Sequence, residues 1–416
     1  MFINFLLIIM CILILVIIHK IDKNLYNPMF ILFVQWLFIL ILCFINIYQY
    51  KITIEAFFII FLGLIGSIVS FLFMAYLKKF KPTYSKKILN VKLSNKRYNV
   101  LFIFLIVAIF VVFLLSLNVI QMILSGVDYA IIRYTYLEDI LQNPILNLLL
   151  SYFAKPLALF MIPVSLVLFQ SDIKSKKNIV LLILSIILVL MISFVLGERF
   201  IVMDLALGFL LSFLIMKQNF SSKVYKKVKK KLYIILCLFI IVFFSITSAR
   251  GTDAFKTIYT YSSGCLPHMS IKLETVNNFT YGFTSLNGVF RPFFQLIDEN
   301  NQQFIAGEEA LENIEKATII GEDIRFNGFI SIFYYFYVDF GYVGVFLFSL
   351  ILGIIMSNIY INMSKTMNSY LIIKYCLFMF LYLSSYFQFL LSVLNLPIAL
   401  LMYYLLFQKK RIKFIY

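Results

Sequence analysis

Arginine is the residue type whose placement first suggests chemistry. The chain carries 36 basic residues, of which seven are arginine. Five of those seven, Arg133, Arg199, Arg250, Arg291 and Arg325, lie outside the lysine-rich segments. A guanidinium offers a planar fork of donors that grips phosphate or carboxylate at two points, which an ammonium cannot do. The plainer alternative is that each arginine pairs with a nearby acid. Gly197-Glu198-Arg199 stands between two apolar runs with almost no loop, and Asp204 follows as a further acid. A Glu–Arg pair at membrane depth is costly to place and by default marks function; the alternative is an ion pair that closes a hairpin. Ser248-Ala249-Arg250-Gly251 closes another apolar run, where an arginine either snorkels to lipid headgroups or holds a diphosphate.

His268 is one of two histidines and sits in a polar stretch. Its imidazole has the range of a general base near neutral pH, although a lone histidine in such a stretch is more often a surface residue. The same stretch holds Arg291, Arg325 and the acids Glu308, Glu309, Glu322 and Asp323. Such carboxylates suit sugar hydroxyls, and Tyr281, Phe283 and Phe290 suit stacking on pyranose faces. No spacing singles out one acid. Asp339 follows a tyrosine-rich run, Tyr334–Tyr337, in the interruption Asp339-Phe340-Gly341. That run reads as an amphipathic segment at the membrane interface. No zinc spacing and no glycine-rich phosphate loop is present, so no metal and no cofactor is expected.

The elements that must position these residues are membrane helices. The chain is 63% hydrophobic and 13% charged, whereas soluble domains run at about 45–50% and about 25%. Continuous apolar runs exclude the two-residue alternation of a β-barrel. They predict spans over 3–18, 29–48, 53–77, 100–124, 148–169, 179–196, 200–216 and 232–248. A run over 328–361, too long for one span of about 20 residues, and spans over 370–390 and 391–407 bring the total to about 11. Residues 1–248 thus read as a bundle of about 8 helices and 249–327 as one large hydrophilic loop. Residues 328–416 read as an interfacial segment followed by further helices.

The net charge of +17 does not indicate nucleic acid, because the lysines cluster in short segments between spans. That is the positive-inside pattern. It puts the C-terminus in the cytoplasm, the N-terminus outside and the large loop on the periplasmic or extracellular side of the cytoplasmic (inner) membrane. Four cysteines fall within spans, and Cys265 alone lies in the loop without a partner for a structural disulfide. Met1–Met10 lacks a basic leader region, so the first helix is expected to be retained.

Gly197-x-Arg199, the arginine at the mouth of the large loop, Asn327-Gly328, the run Tyr334–Tyr337, Asp339-Phe340-Gly341 and Gly344 together resemble the bacterial O-antigen polymerases, also called oligosaccharide repeat-unit polymerases. The resemblance implies an all-α polytopic membrane enzyme like the C-type lipid-linked glycosyltransferases. Its substrates would be oligosaccharide repeat units of O-antigen or capsule, carried on undecaprenyl diphosphate in membrane lipid. A chain-length regulator protein is a further candidate partner. Arg199 and Arg250 would hold the diphosphate, with His268 as the tempting catalytic base. Arg133, Glu198, Arg291, Arg325 and Asp339 would help bind substrate. Two neighbouring readings remain at this level. An O-antigen ligase would share the architecture. A flippase of lipid-linked oligosaccharide would instead show internal repeats and charges midway through several helices.

Overall fold

The computed structural model describes residues 2–80, 93–127, 143–198, 200–217, 253–326 and 329–407, with single positions at 237, 241, 244 and 245. In chain order the elements begin with α1 (Phe2–Ile21), α2 (Pro28–Ile45), α3 (Ile54–Leu77) and α4 (Asn95–Leu124). Next come α5 (Pro144–Leu148), a π-helix (Leu149–Ala154), α6 (Lys155–Ser171), α7 (Lys176–Leu196) and α8 (Phe200–Met216). The polar stretch that reads as a loop contains α9 (Ala254–Ser263), α10 (Cys265–Leu273), α11 (Asn287–Ile297) and α12 (Gln302–Glu315). It ends in an antiparallel hairpin, β1 (Thr318–Ile320) with β2 (Ile324–Phe326). The chain closes with α13 (Ile332–Thr366), α14 (Ser369–Leu383) and α15 (Asn395–Phe407).

Among the described residues, seven helical segments are long and apolar enough to cross a membrane: α1 to α4, Leu149–Ser171, α7 and α13. Three shorter apolar helices, α8, α14 and α15, accompany them. The protein is therefore a polytopic, mainly helical membrane protein. The span expected over 232–248 falls almost entirely outside the described residues. Helix starts follow the side chains: Asn27 accepts from the Met29 and Phe30 amides with Pro28 in the first position, and Thr53 accepts from the Ala56 amide.

The chain forms two compact units, each discontinuous in sequence. One comprises residues 1–84, 255–365 and 378–393. Its helices α3 and α13 approach closely through small residues. A Cβ on Gly66 would lie 2.7 Å from the Phe346 carbonyl oxygen, and one on Gly353 would overlap Ser70. Lipid gives two apolar helices no hydrophobic reason to associate, so close packing of small residues supplies the attraction. Near one end of α13, Tyr360 donates to the buried Asp22 carboxylate, which also accepts from the Asn27 side chain at 2.9 Å and the Asn24 amide at 3.1 Å.

At its other end α13 breaks where the sequence indicates. Phe340 and Gly341 leave helical geometry, and Gly341 adopts φ 65°, ψ −157°, a conformation almost confined to glycine. The tyrosine-rich turns before the break are not an interfacial amphipathic helix. Tyr334, Tyr335 and Phe336 are all buried, with Phe389 against the rings of Tyr335 and Phe336. Tyr334 donates to the Lys272 carbonyl at 3.1 Å. The expected span over 370–390 is also shorter: α14 ends at Leu383, and α15 begins only at Asn395. The peptide between them satisfies its carbonyls with the polar stretch and the start of α13. Leu391 accepts from the Gly288 amide, Phe387 from Ile330 and Ser385 from Ile332. Continuous hydropathy cannot reveal such a bonding pattern.

The second unit comprises residues 85–254, 366–377 and 394–416. Its central helix is α6, in which every residue from Pro156 to Gln170 is buried. Gln170 donates to Ser212 of α8 at 3.1 Å.

Substituting Gly66→Ala forces α3 away from the Phe346 carbonyl. The expected cost is about 1–3 kcal/mol, typical of overpacking. A melting temperature lowered by several degrees in detergent would check it.

Candidate functional site

The segment 253–326 is a small folded body with its own apolar centre. Tyr259, Ile320, Ile324 and Phe326 pack with Tyr50 from the α2–α3 connection. His268 belongs to this body and is fully buried. Its Nε2 lies 3.1 Å from the Ile314 carbonyl, which fixes the proton on that nitrogen. Nδ1 then accepts from the Thr318 hydroxyl at 2.6 Å. Both ring nitrogens are therefore occupied by protein partners. Burial lowers its pKa to about 4, with Lys272 acting in the same direction and the Ile314 bond opposing. Lys272 donates to the Asn313 carbonyl and side chain, so α10 is stitched to α12 at two points.

Arg325 lies on the exposed side of β2, paired in register with Ile319. Arg291 in α11 meets Glu308 of α12 at 3.5 Å. At nearly half exposure such a pair contributes at most about 1 kcal/mol. Beside this body a cavity of about 320 Å³ opens between the α2–α3 connection, α10 and β1, with Lys51, Gln49, Glu274 and Ser270 among its lining residues.

Among the described residues of the expected site, Asp339 is the most heavily bonded. It is fully buried at the α13 break. Oδ1 accepts from the Thr280 hydroxyl at 2.5 Å and the Thr284 amide at 3.1 Å. Oδ2 accepts from the Ser285 amide at 3.0 Å. The backbone adds the Thr280 amide to the Val338 carbonyl and the Tyr281 amide to the Asp339 carbonyl. Three charge-assisted bonds compensate a carboxylate withdrawn from water. The signal in the sequence was Thr280-x-x-x-Thr284-Ser285, whose role shows only once Asp339 is placed beside it.

In the second unit, Glu198 does face a cation, but the one described is Lys155, at 2.7 Å. Gly197 ends α7 in the left-handed conformation, and Ser193 donates to the Glu198 carbonyl at 2.6 Å. Asp204, six residues beyond Glu198 in α8, is also buried. Arg133, Arg199 and Arg250 lie outside the described residues, as does Asn327-Gly328. The structure thus brings His268, Arg291, Arg325 and Asp339 into one unit and Glu198 into the other. Among the described residues, no group of three His, Cys, Asp or Glu side chains could hold a metal ion.

The His268 arrangement predicts a pH dependence. The folded-state pKa lies below the ordinary value of 6.5, so its stabilising contribution is complete above about pH 6.5. It is lost as the pH falls towards 4, by roughly 3 kcal/mol. Thermal melting in detergent should weaken across that window, and His268→Gln should flatten the dependence there while lowering stability at pH 7.

Compared with known proteins, residues 1–308 match the family model described as O-antigen polysaccharide polymerase Wzy. No curated protein and no solved structure matches the chain.

Proposed function

Because the chain belongs to the O-antigen polysaccharide polymerase Wzy family, we propose that it polymerises oligosaccharide repeat units carried on undecaprenyl diphosphate, at the outer face of the cytoplasmic membrane. The family match over residues 1–308 carries this reading. It is supported by seven helices, among the described residues, able to cross a membrane and by arginines placed away from the lysine-rich segments.

In the reaction, a hydroxyl oxygen of the non-reducing sugar of a new unit attacks the anomeric carbon of the growing chain. The bond from that carbon to the diphosphate oxygen breaks, and undecaprenyl diphosphate leaves with the electron pair. The hydroxyl proton passes to a base. Negative charge grows on the leaving diphosphate, so preorganised guanidinium groups lower the barrier. Arg199 and Arg250 take that role, with Arg133 as a further candidate. Both ring nitrogens of His268 are engaged within its own domain, so we assign it to holding that domain together, not to proton transfer. Asp339 anchors the break in α13 in the same sense, through Thr280, Thr284 and Ser285. The cavity bearing Lys51 and Glu274 suits a sugar ring, since the carboxylate accepts from hydroxyls and the ammonium donates to them. Arg291 and Arg325 lie on the surface of the same domain and suit contacts to the polymer.

The test is gel analysis of surface glycan from a strain lacking the gene. Collapse of a ladder to a single repeat unit supports polymerisation. Loss of all surface glycan with units accumulating on the lipid carrier contradicts it in favour of ligation or flipping. Arg199→Ala and Arg250→Ala, made at normal membrane levels, should each reduce chain extension by about 100-fold or more. Arginine-to-lysine changes should recover it only in part, because the bidentate grip is lost. Full ladders in both alanine variants would overturn the diphosphate assignment.

A further inference from the structure

We propose that α11 is an interfacial helix that seats the 253–326 body on the bilayer, with Phe293, Leu296 and Ile297 inserted at the boundary between lipid headgroups and acyl chains. The helix uses its apolar residues in two ways. Phe294 stacks on Phe304 of α12, with ring centroids 5.5 Å apart, and Phe283 meets both Phe290 and Phe294 at 5.2 Å. The adjoining stripe of Phe293, Leu296 and Ile297 is 60%, 87% and 81% exposed. At about 100° per residue these three fall on one side of the helix, with Arg291 and Gln295 on the other. Large apolar side chains this open to water, on a helix whose remaining faces are packed or polar, fit a lipid surface.

The level of the membrane is set by α13. Lys78 donates to Asn358 and Asn362 near one end of that helix, which marks one polar edge of the span. A crossing takes about 20 residues, and counting back by that length reaches Val338 and Tyr342, on either side of the break. Past the break Val343, Leu347, Ile351 and Ile355, each four residues from the last, are exposed. The lipid-facing surface therefore begins at the break itself. Phe279 and Tyr281, both exposed, stand at the same level. A Cβ on Gly341 would lie 3.1 Å from the Phe279 ring, and the Tyr281 ring centroid is 6.0 Å from that of Phe340. Aromatic side chains at the edge of a span are common interfacial anchors.

The first turn of α11 is held at that edge. Asn287 follows by two residues Ser285, whose amide binds Asp339 at the break. The Gly288 amide donates to the Leu391 carbonyl at 3.1 Å, and a Cβ on Gly288 would fall 2.2 Å from the Val393 carbonyl oxygen. The exposed stripe thus continues from a surface that already faces lipid, and the bilayer is its partner. Lying flat, the helix runs about 16 Å along the membrane and reaches water at the exposed Asp298 and Glu299. The interfacial role that the tyrosine run does not fill falls to α11.

The test uses the full chain in phospholipid nanodiscs. Trp36, the single tryptophan and fully buried, supplies the background to be subtracted. Leu296→Trp and the lipid-facing reference Leu347→Trp are compared in lipid with and without bromine on the upper acyl chain, and with acrylamide in the water. Insertion predicts that brominated lipid quenches the added emission of Leu296→Trp about half as strongly as that of Leu347→Trp or more, since such a face sits about 5–10 Å into the boundary. Acrylamide should quench it little. If Leu296→Trp does not accumulate, Ile297→Trp and Phe293→Trp should give the same result. Strong quenching by acrylamide with none by brominated lipid would show the stripe open to water and overturn the proposal. Protection from both quenchers would mean that a second copy of the chain or another protein covers the stripe, and would overturn it equally.

Discussion

A carboxylate buried in a membrane protein must be surrounded by donors, because neither lipid nor water compensates its charge there. Two such carboxylates set the frame of the first unit. Asp22 holds Tyr360 near one end of α13, and Asp339 holds Thr280, Thr284 and Ser285 at the break near the other. Removing one partner from such a group leaves an uncompensated charge, which costs far more than the net gain from forming the bond. The helix is thereby fixed in position at both ends, and the polar body of residues 253–326 is tied to it. The close approach of α3 and α13 at Gly66 and Gly353 adds small-residue packing between those two anchors.

The polar body illustrates how function is separated from support. His268 looks like a base when only its type and its neighbours in the chain are considered. In the fold its two nitrogens bridge α10 to Ile314 and Thr318, which is the work of a cross-brace. Lys272 repeats the device one turn later with Asn313. Among the groups facing outward are Lys51 and Glu274 at the cavity, with Arg325 on the hairpin.

Much of the membrane architecture was legible because hydropathy acts over whole helices. The starts of α2, α3 and α8 fall close to the expected positions, and the interruption at Asp339-Phe340-Gly341 is where α13 breaks. What escaped the sequence depends on pairings far apart in the chain. Residues 384–394 read as membrane helix but bond to Gly288, Ile330 and Ile332. The buried run Tyr334–Phe336 reads as interfacial until Phe389 and the Lys272 carbonyl are placed against it. Lys155 was visible as a charge within a span, but neither its π-helical setting nor its partner Glu198 has a local signature. The family match covers Gly197-x-Arg199, Arg250, His268 and Arg291 and ends before Arg325 and Asp339, so the later tyrosine-rich motif stands on its resemblance and its geometry.

The central claim is that this chain forms glycosidic bonds between lipid-linked repeat units. The most direct measurement is reconstitution of the purified protein in liposomes containing only undecaprenyl-diphosphate-linked units. Polymers of increasing length should form, and each new bond should release one undecaprenyl diphosphate. Units that stay single with no diphosphate released, while the same protein restores the glycan ladder in cells, would contradict it.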